Sequence, residues 1–180
     1  MMQRLNQPYE DNPTMQERVR KLMGITMELP ADMQASKQGK DFLWISNNAA
    51  SGMKNVVIYK VKTTETLPLS VERFCSLRDS VMQINLKGAS DSMFVTTLKA
   101  SVEGRFNAKE KLCRYAGLWE MHGDAMRGQF VSNVYQQPNG QGLIIAEGFL
   151  YAPETNNKQT LLSQLKTILG SINIKNNNGK

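Results

Sequence analysis

Two runs of strand-forming residues near the end of the chain, 130–136 and 143–151, flank the step Asn139-Gly140. An Asn-Gly step between two such runs is a strong signal for a tight β-hairpin, because both residues readily adopt the positive φ angles of the turn. We therefore predict an antiparallel hairpin at this position. This feature constrains the fold more than any other, since it commits the second half of the chain to an antiparallel sheet.

Other apolar runs have the composition and length of strands. Segments 42–45 and 56–61 predict a second hairpin, joined by the turn-rich connection 47–55. Segments 93–98 and 111–121 are predicted as two further strands, and the polar stretch between them as a connection. Runs of neighbouring strands with short local links favour an antiparallel sheet.

Three segments have the spacing of amphipathic helices. Asn12 followed by Pro13 is typical of a helix start, and Gly24 of a helix end. Ser70 can cap a second helix, which ends near Gly88. The last helix has the clearest apolar stripe of the chain, formed by Leu161, Leu165, Ile168, Leu169 and Ile172. The order of elements predicts an α+β fold: an antiparallel β-sheet of about six strands with helices packed on its faces.

Length and composition are typical of a single globular domain. The chain has 180 residues, of which 41% are hydrophobic and 21% are charged, so it can bury a sizeable core. We predict one α+β domain over residues 1–174. Residues 175–180 contain little that could offset the entropy of ordering them, and they are predicted to form a disordered tail.

The formal net charge of +6 would favour the approach of an anionic partner. The Lys and Arg residues are scattered along the chain, however, so we predict no nucleic-acid partner. The sequence contains no stretch that would span a membrane, and the first ten residues lack the layout of a signal peptide. Cys75 and Cys113 are predicted to be free core thiols, with a single bridge between them as the alternative.

Four charged residues fall on otherwise apolar faces of predicted elements. Arg78 lies in the middle of the apolar arc of the helix that starts at Ser70, and Glu147 shares a strand face with apolar residues. Arg114 and Glu120 share one face of the strand at 111–121. Because a lone buried charge is costly, these groups either pair with one another or border a solvated pocket. In such a pocket Arg78 and Arg114 would bind a carboxylate or a phosphate.

Catalytic and metal chemistry are poorly supported by the residue types present. Glu120, His122 and Asp124 alternate along one side of an extended chain and are the only candidates for metal ligands, yet His122 is the single histidine of the protein. We therefore predict no metal site and no cofactor. The same scarcity removes Ser-His-Asp and Cys-His catalysis, and the glycines form no phosphate-binding loop.

Five short sequences resemble, in their order and spacing, an uncharacterised domain-of-unknown-function family of Bacteroidetes envelope lipoproteins, and the resemblance covers nearly the whole chain. They are GITMELP at 24–30, DFLWI at 41–45, RDS at 78–80, GLWE at 117–120 and EGFLYAP at 147–153. The resemblance implies a location in the cell envelope or periplasm, a C-terminal position within a longer precursor, and a lipid anchor on that precursor. The family has no assigned activity and therefore gives no residue a role.

The element order also resembles the Mog1/PsbP-like α-β-α sandwiches, which are mostly accessory or binding modules. These observations favour a non-enzymatic envelope module that binds another protein or an envelope component through its sheet or an edge strand. The alternative is a domain that binds a small anionic ligand through Arg78 and Arg114. Fold likeness alone weighs little on this choice.

Overall fold

A computed structural model describes residues 10–49, 52–138, 142–152 and 157–174. In this part of the chain there are three α-helices and seven β-strands. In chain order they are α1 (Pro13–Met23), β1 (Ala35–Gly39), β2 (Phe42–Ser46), β3 (Met53–Val61), α2 (Val71–Asn85), β4 (Phe94–Asn107), β5 (Leu112–His122), β6 (Arg127–Gln136), β7 (Leu143–Tyr151) and α3 (Lys158–Gly170).

The seven strands form one antiparallel sheet in the order β1-β2-β3-β7-β6-β5-β4, which is not closed. The predicted α+β fold on an antiparallel sheet is confirmed. Strands β6 and β7 pair as the predicted hairpin, with Phe130 opposite Phe149, and β2 and β3 form the second hairpin. The predicted turn at Asn139-Gly140 and the predicted disordered tail at 175–180 lie outside the described residues.

Helices cover the sheet on both faces because the central strands bury side chains on both sides. On one face, α1, α3 and the extended segment 25–33 pack against β2, β3 and β7. On the other face, α2 packs against side chains of β3, β4, β5, β6 and β7. Cys75 and Cys113 lie in this second core as free, buried thiols.

The ends of α1 follow from its sequence. The side chain of Asn12 accepts a hydrogen bond from the Met15 amide at 3.3 Å, and it donates to the carbonyl of Met33 at 2.8 Å. Pro13 occupies the first turn, where its missing amide hydrogen costs nothing. Gly24 ends the helix in the left-handed conformation, with φ of 75°, which favours glycine.

The sheet contains one strand more than the predicted six, and β4 is longer than predicted. Strand β1 (Ala35–Gly39) is polar and largely exposed at one edge of the sheet, so it has no apolar alternation from which a strand could be predicted. Strand β4 continues to Asn107, past an irregularity between Leu98 and Glu103. The polar stretch predicted as a connection is therefore partly an edge strand, stabilised by its hydrogen bonds to β5. In the described part of the chain, no helix is long and apolar enough to cross a membrane.

Candidate functional site

Arg78 and Glu147 form a bidentate ion pair inside the α2-side core. Arg78 Nε donates to Glu147 Oε1 at 2.8 Å and Nη2 donates to Oε2 at 2.7 Å. Both side chains are fully buried. The guanidinium also lies over the ring of Phe130, 4.4 Å from its centroid. The carboxylate thus occupies the edge of Arg78 that would otherwise recognise an anion.

The remaining hydrogen bonds of this pair continue through neighbouring polar groups. Arg78 Nη1 donates to Thr97 Oγ1 at 2.9 Å, and the Thr97 hydroxyl donates to Asp79 Oδ1 at 2.7 Å. Burial by itself would lower the pKa of Arg78, but the Glu147 carboxylate holds this pKa above its ordinary value. Of the two interpretations of Arg78 left open by the sequence, the structure shows the ion pair.

The structure does not bring Arg78 and Arg114 together. Along β5, Cys113 and Tyr115 point into the α2-side core, so Arg114 between them points to the opposite face of the sheet. The Arg114 side chain is 55% exposed, and its guanidinium lies 3.7 Å from the Glu110 carboxylate. The prediction that Arg78 and Arg114 bind one ligand together is therefore wrong, because the two side chains lie on opposite faces of the sheet.

Glu120, His122 and Asp124 do not converge. Glu120 lies 3.9 Å from Arg127 on the neighbouring strand. The His122 ring stacks on Phe94 with centroids 4.8 Å apart, and Asp124 accepts a hydrogen bond from the next amide in the turn after β5. Within the described ranges, no group of three or more His, Cys, Asp or Glu side chains is placed to hold a metal ion.

A groove lies on the face of β4, β5 and β6 that carries Arg105, Arg114 and Asn133, which we call the open face. No helix of the described residues covers β4 and β5 there, and Arg114 and Ala116 are exposed. The groove has a volume of about 320 Å³ and is bounded on one side by the end of α3. Its charged lining residues are Glu103, Arg105, Arg114 and Lys166.

Two of these cations lie directly opposite each other, since Arg105 on β4 is in register with Arg114 on β5. Like charges at directly opposed positions destabilise a sheet. Asn133 on β6 is the next residue in this row, and its amide donates to the Tyr135 hydroxyl at 3.1 Å. Burial raises the pKa of Tyr135, although the hydrogen bond from Asn133 and the charge of Arg114 oppose the shift.

The sequence indicated Arg114 but not the two cations beside it. Arg105 falls in the stretch predicted as a connection, and Lys166 lies on the polar side of the last helix. A charged residue at either position is what an exposed surface normally carries, so the sequence contained no sign that Arg105 and Lys166 belong to a site. Only the β4–β5 register and the packing of α3 place all three around one groove.

Fold and groove together define a class of protein: an α+β domain with an open antiparallel sheet, helices on both faces and a partly cationic groove. Residues 12–171 match the family described as "Domain of unknown function (DUF4837)", and the chain belongs to this family. The expected membership of a domain-of-unknown-function family is thereby confirmed. No curated protein matches the sequence.

Proposed function

We propose that this domain is a non-enzymatic binding module of the cell envelope, and that its open face holds an anionic group of an envelope component. The observation that carries this proposal is the groove that Arg105, Arg114 and Lys166 line. Its volume of about 320 Å³ lies at the lower end of the range typical of small-ligand pockets. This size suits a single chemical group better than a protein segment.

The envelope location rests on the resemblance of the chain to Bacteroidetes envelope lipoproteins. In this proposal the domain belongs to a longer, lipid-anchored precursor that holds it close to envelope components. The likeness to Mog1/PsbP-like sandwiches is part of the same proposal, supported by helices on both faces of an antiparallel sheet. A protein partner is the alternative occupant of the open face.

The non-enzymatic part of the proposal rests on the state of the polar groups that could have acted in catalysis. Glu147 is held in two hydrogen bonds by Arg78 inside the core. His122, the single histidine, is stacked on Phe94 and lies on a different stretch of β5 from Arg114. A groove whose cations are arginine and lysine supports the binding of an anion better than proton transfer, because guanidinium and ammonium groups donate hydrogen bonds and cannot accept them.

We expect the purified domain to sediment with envelope membranes from the organism that carries the gene, and the Arg114→Glu/Lys166→Glu variant to bind at least about tenfold more weakly. The control is Lys37→Glu/Lys40→Glu, which changes the net charge equally at exposed positions near the opposite edge of the sheet. This control should bind like the wild type. Equal binding by both variants, or no binding by the wild type, would refute the proposed function.

A further inference from the structure

We infer that Arg105, Arg114 and Lys166 form a binding site for a phosphate group, and this inference rests on the proposed function. The first support is their state of pairing. Neither Arg105 nor Lys166 forms an ion pair with another residue in the described ranges, and Arg114 approaches Glu110 only to 3.7 Å. Charge-assisted hydrogen bonds are about 2.7–2.9 Å long, so all three cations retain donors for a ligand.

The second support is the arrangement of these cations. Arg105 and Arg114 come from adjacent strands in register, and Lys166 comes from α3 on the side of the groove. Donors that approach from two strands and a helix suit a tetrahedral oxyanion with up to two charges. A planar carboxylate is already satisfied by one guanidinium, as the Arg78–Glu147 pair demonstrates in the core of this protein. Three cations along one groove therefore favour phosphate over carboxylate.

Two features of the groove oppose an anion, the C-terminal end of α3 and the Glu103 carboxylate. The groove lies beside the C-terminal end of α3, where the helix dipole is equivalent to roughly half a negative charge. The last carbonyls there are partly satisfied, since the Ser171 hydroxyl donates to the Ile168 carbonyl at 2.6 Å. Glu103 also lines the groove. Its carboxylate would repel an extended polyanion along β4, so the site selects a compact group.

Two sources could supply such a group, a free phosphate or the headgroup of a phosphomonoester lipid. We expect inorganic phosphate, titrated into the protein in phosphate-free buffer by calorimetry, to bind at least about tenfold more tightly than acetate. Arg105→Gln and Arg114→Gln should each weaken phosphate binding by a similar factor.

Vesicles of phosphatidylcholine with and without phosphatidic acid distinguish the two sources of the phosphate group. Binding only to vesicles that contain phosphatidic acid identifies a lipid headgroup.

The matched control is Arg127→Gln, which removes an exposed arginine of β6 that lies near Glu120 instead of in the groove. It should bind phosphate like the wild type, and unchanged melting temperatures would show that all variants are folded. Equal affinity for acetate and phosphate, or an equal loss in Arg127→Gln, would overturn the phosphate site. If phosphate fails while envelope membranes are still bound, the inference falls and the proposed function stands. If phosphate binds while envelope membranes do not, the phosphate site stands and the proposed envelope function falls.

Discussion

Arg78→Met is expected to lower the free energy of unfolding by about 3–5 kcal/mol, because it leaves the Glu147 carboxylate buried without its partner. The carboxylate accepts both of its short hydrogen bonds from Arg78, and the pair is inaccessible to solvent. The Arg78→Met/Glu147→Leu variant removes both charges and should recover much of this loss. Urea denaturation followed by circular dichroism measures all three proteins.

The matched control, Arg73, lies on the first turn of the same helix. Arg73 also holds a carboxylate, that of Glu65, through two nitrogens at 2.8–2.9 Å, but this pair is exposed to solvent. Arg73→Met should change the stability little, because exposed ion pairs are screened by water. If Arg78→Met proves as mild as Arg73→Met, the Glu147 carboxylate does not depend on Arg78 for its burial, and the stabilising role of the pair is refuted.

Trp119→Ala is expected to cost about 3–5 kcal/mol, the range typical of truncating a buried aromatic residue to alanine. Trp119 is 1% exposed, and its indole nitrogen donates to the Leu150 carbonyl at 3.1 Å. Gly128 faces it in the register, and a Cβ there would lie 2.8 Å from the indole nitrogen. The absence of a side chain at Gly128 thus leaves the room that the indole occupies.

Phe106→Ala is the control for this second prediction. Phe106 lies on β4 and is 43% exposed, so its truncation should cost about 1 kcal/mol, since much of the ring is already in water. Urea denaturation gives the comparison, because the midpoint and the m-value of each variant yield its free energy of unfolding. Similar losses for Trp119→Ala and Phe106→Ala would contradict the burial of the Trp119 indole, which reaches across β6 to the backbone of β7.

The sequence predicted those elements whose local signals agree with their packing. Asn12 and Gly24 mark both ends of α1, and β6 and β7 pair as the apolar runs around the Asn-Gly step indicated. It failed for β1 and for the second half of β4, because edge strands exposed to water need no apolar alternation. Their stability comes from backbone hydrogen bonds to a neighbour that the sequence does not identify.

The candidate site was harder to predict than the fold. Arg78 and Glu147 stood out because a charge on an apolar face needs a partner, and that reasoning included their pairing with each other. The separation of Arg78 from Arg114 required knowledge of which face of β5 meets α2. Arg105 and Lys166 gave no local signal, because only the β4–β5 register and the docking of α3 bring them beside Arg114.

The central claim is that the domain binds an anionic group on its open face and uses Arg78 and Glu147 for stability alone. Backbone amide chemical shifts, recorded by NMR during a titration with inorganic phosphate, test this claim most directly. We expect the changes to be confined to residues 103–107 and 112–116, the neighbouring part of β6 and the end of α3. Changes centred on α2 and Glu147, or a spectrum unaffected by phosphate, would contradict the claim.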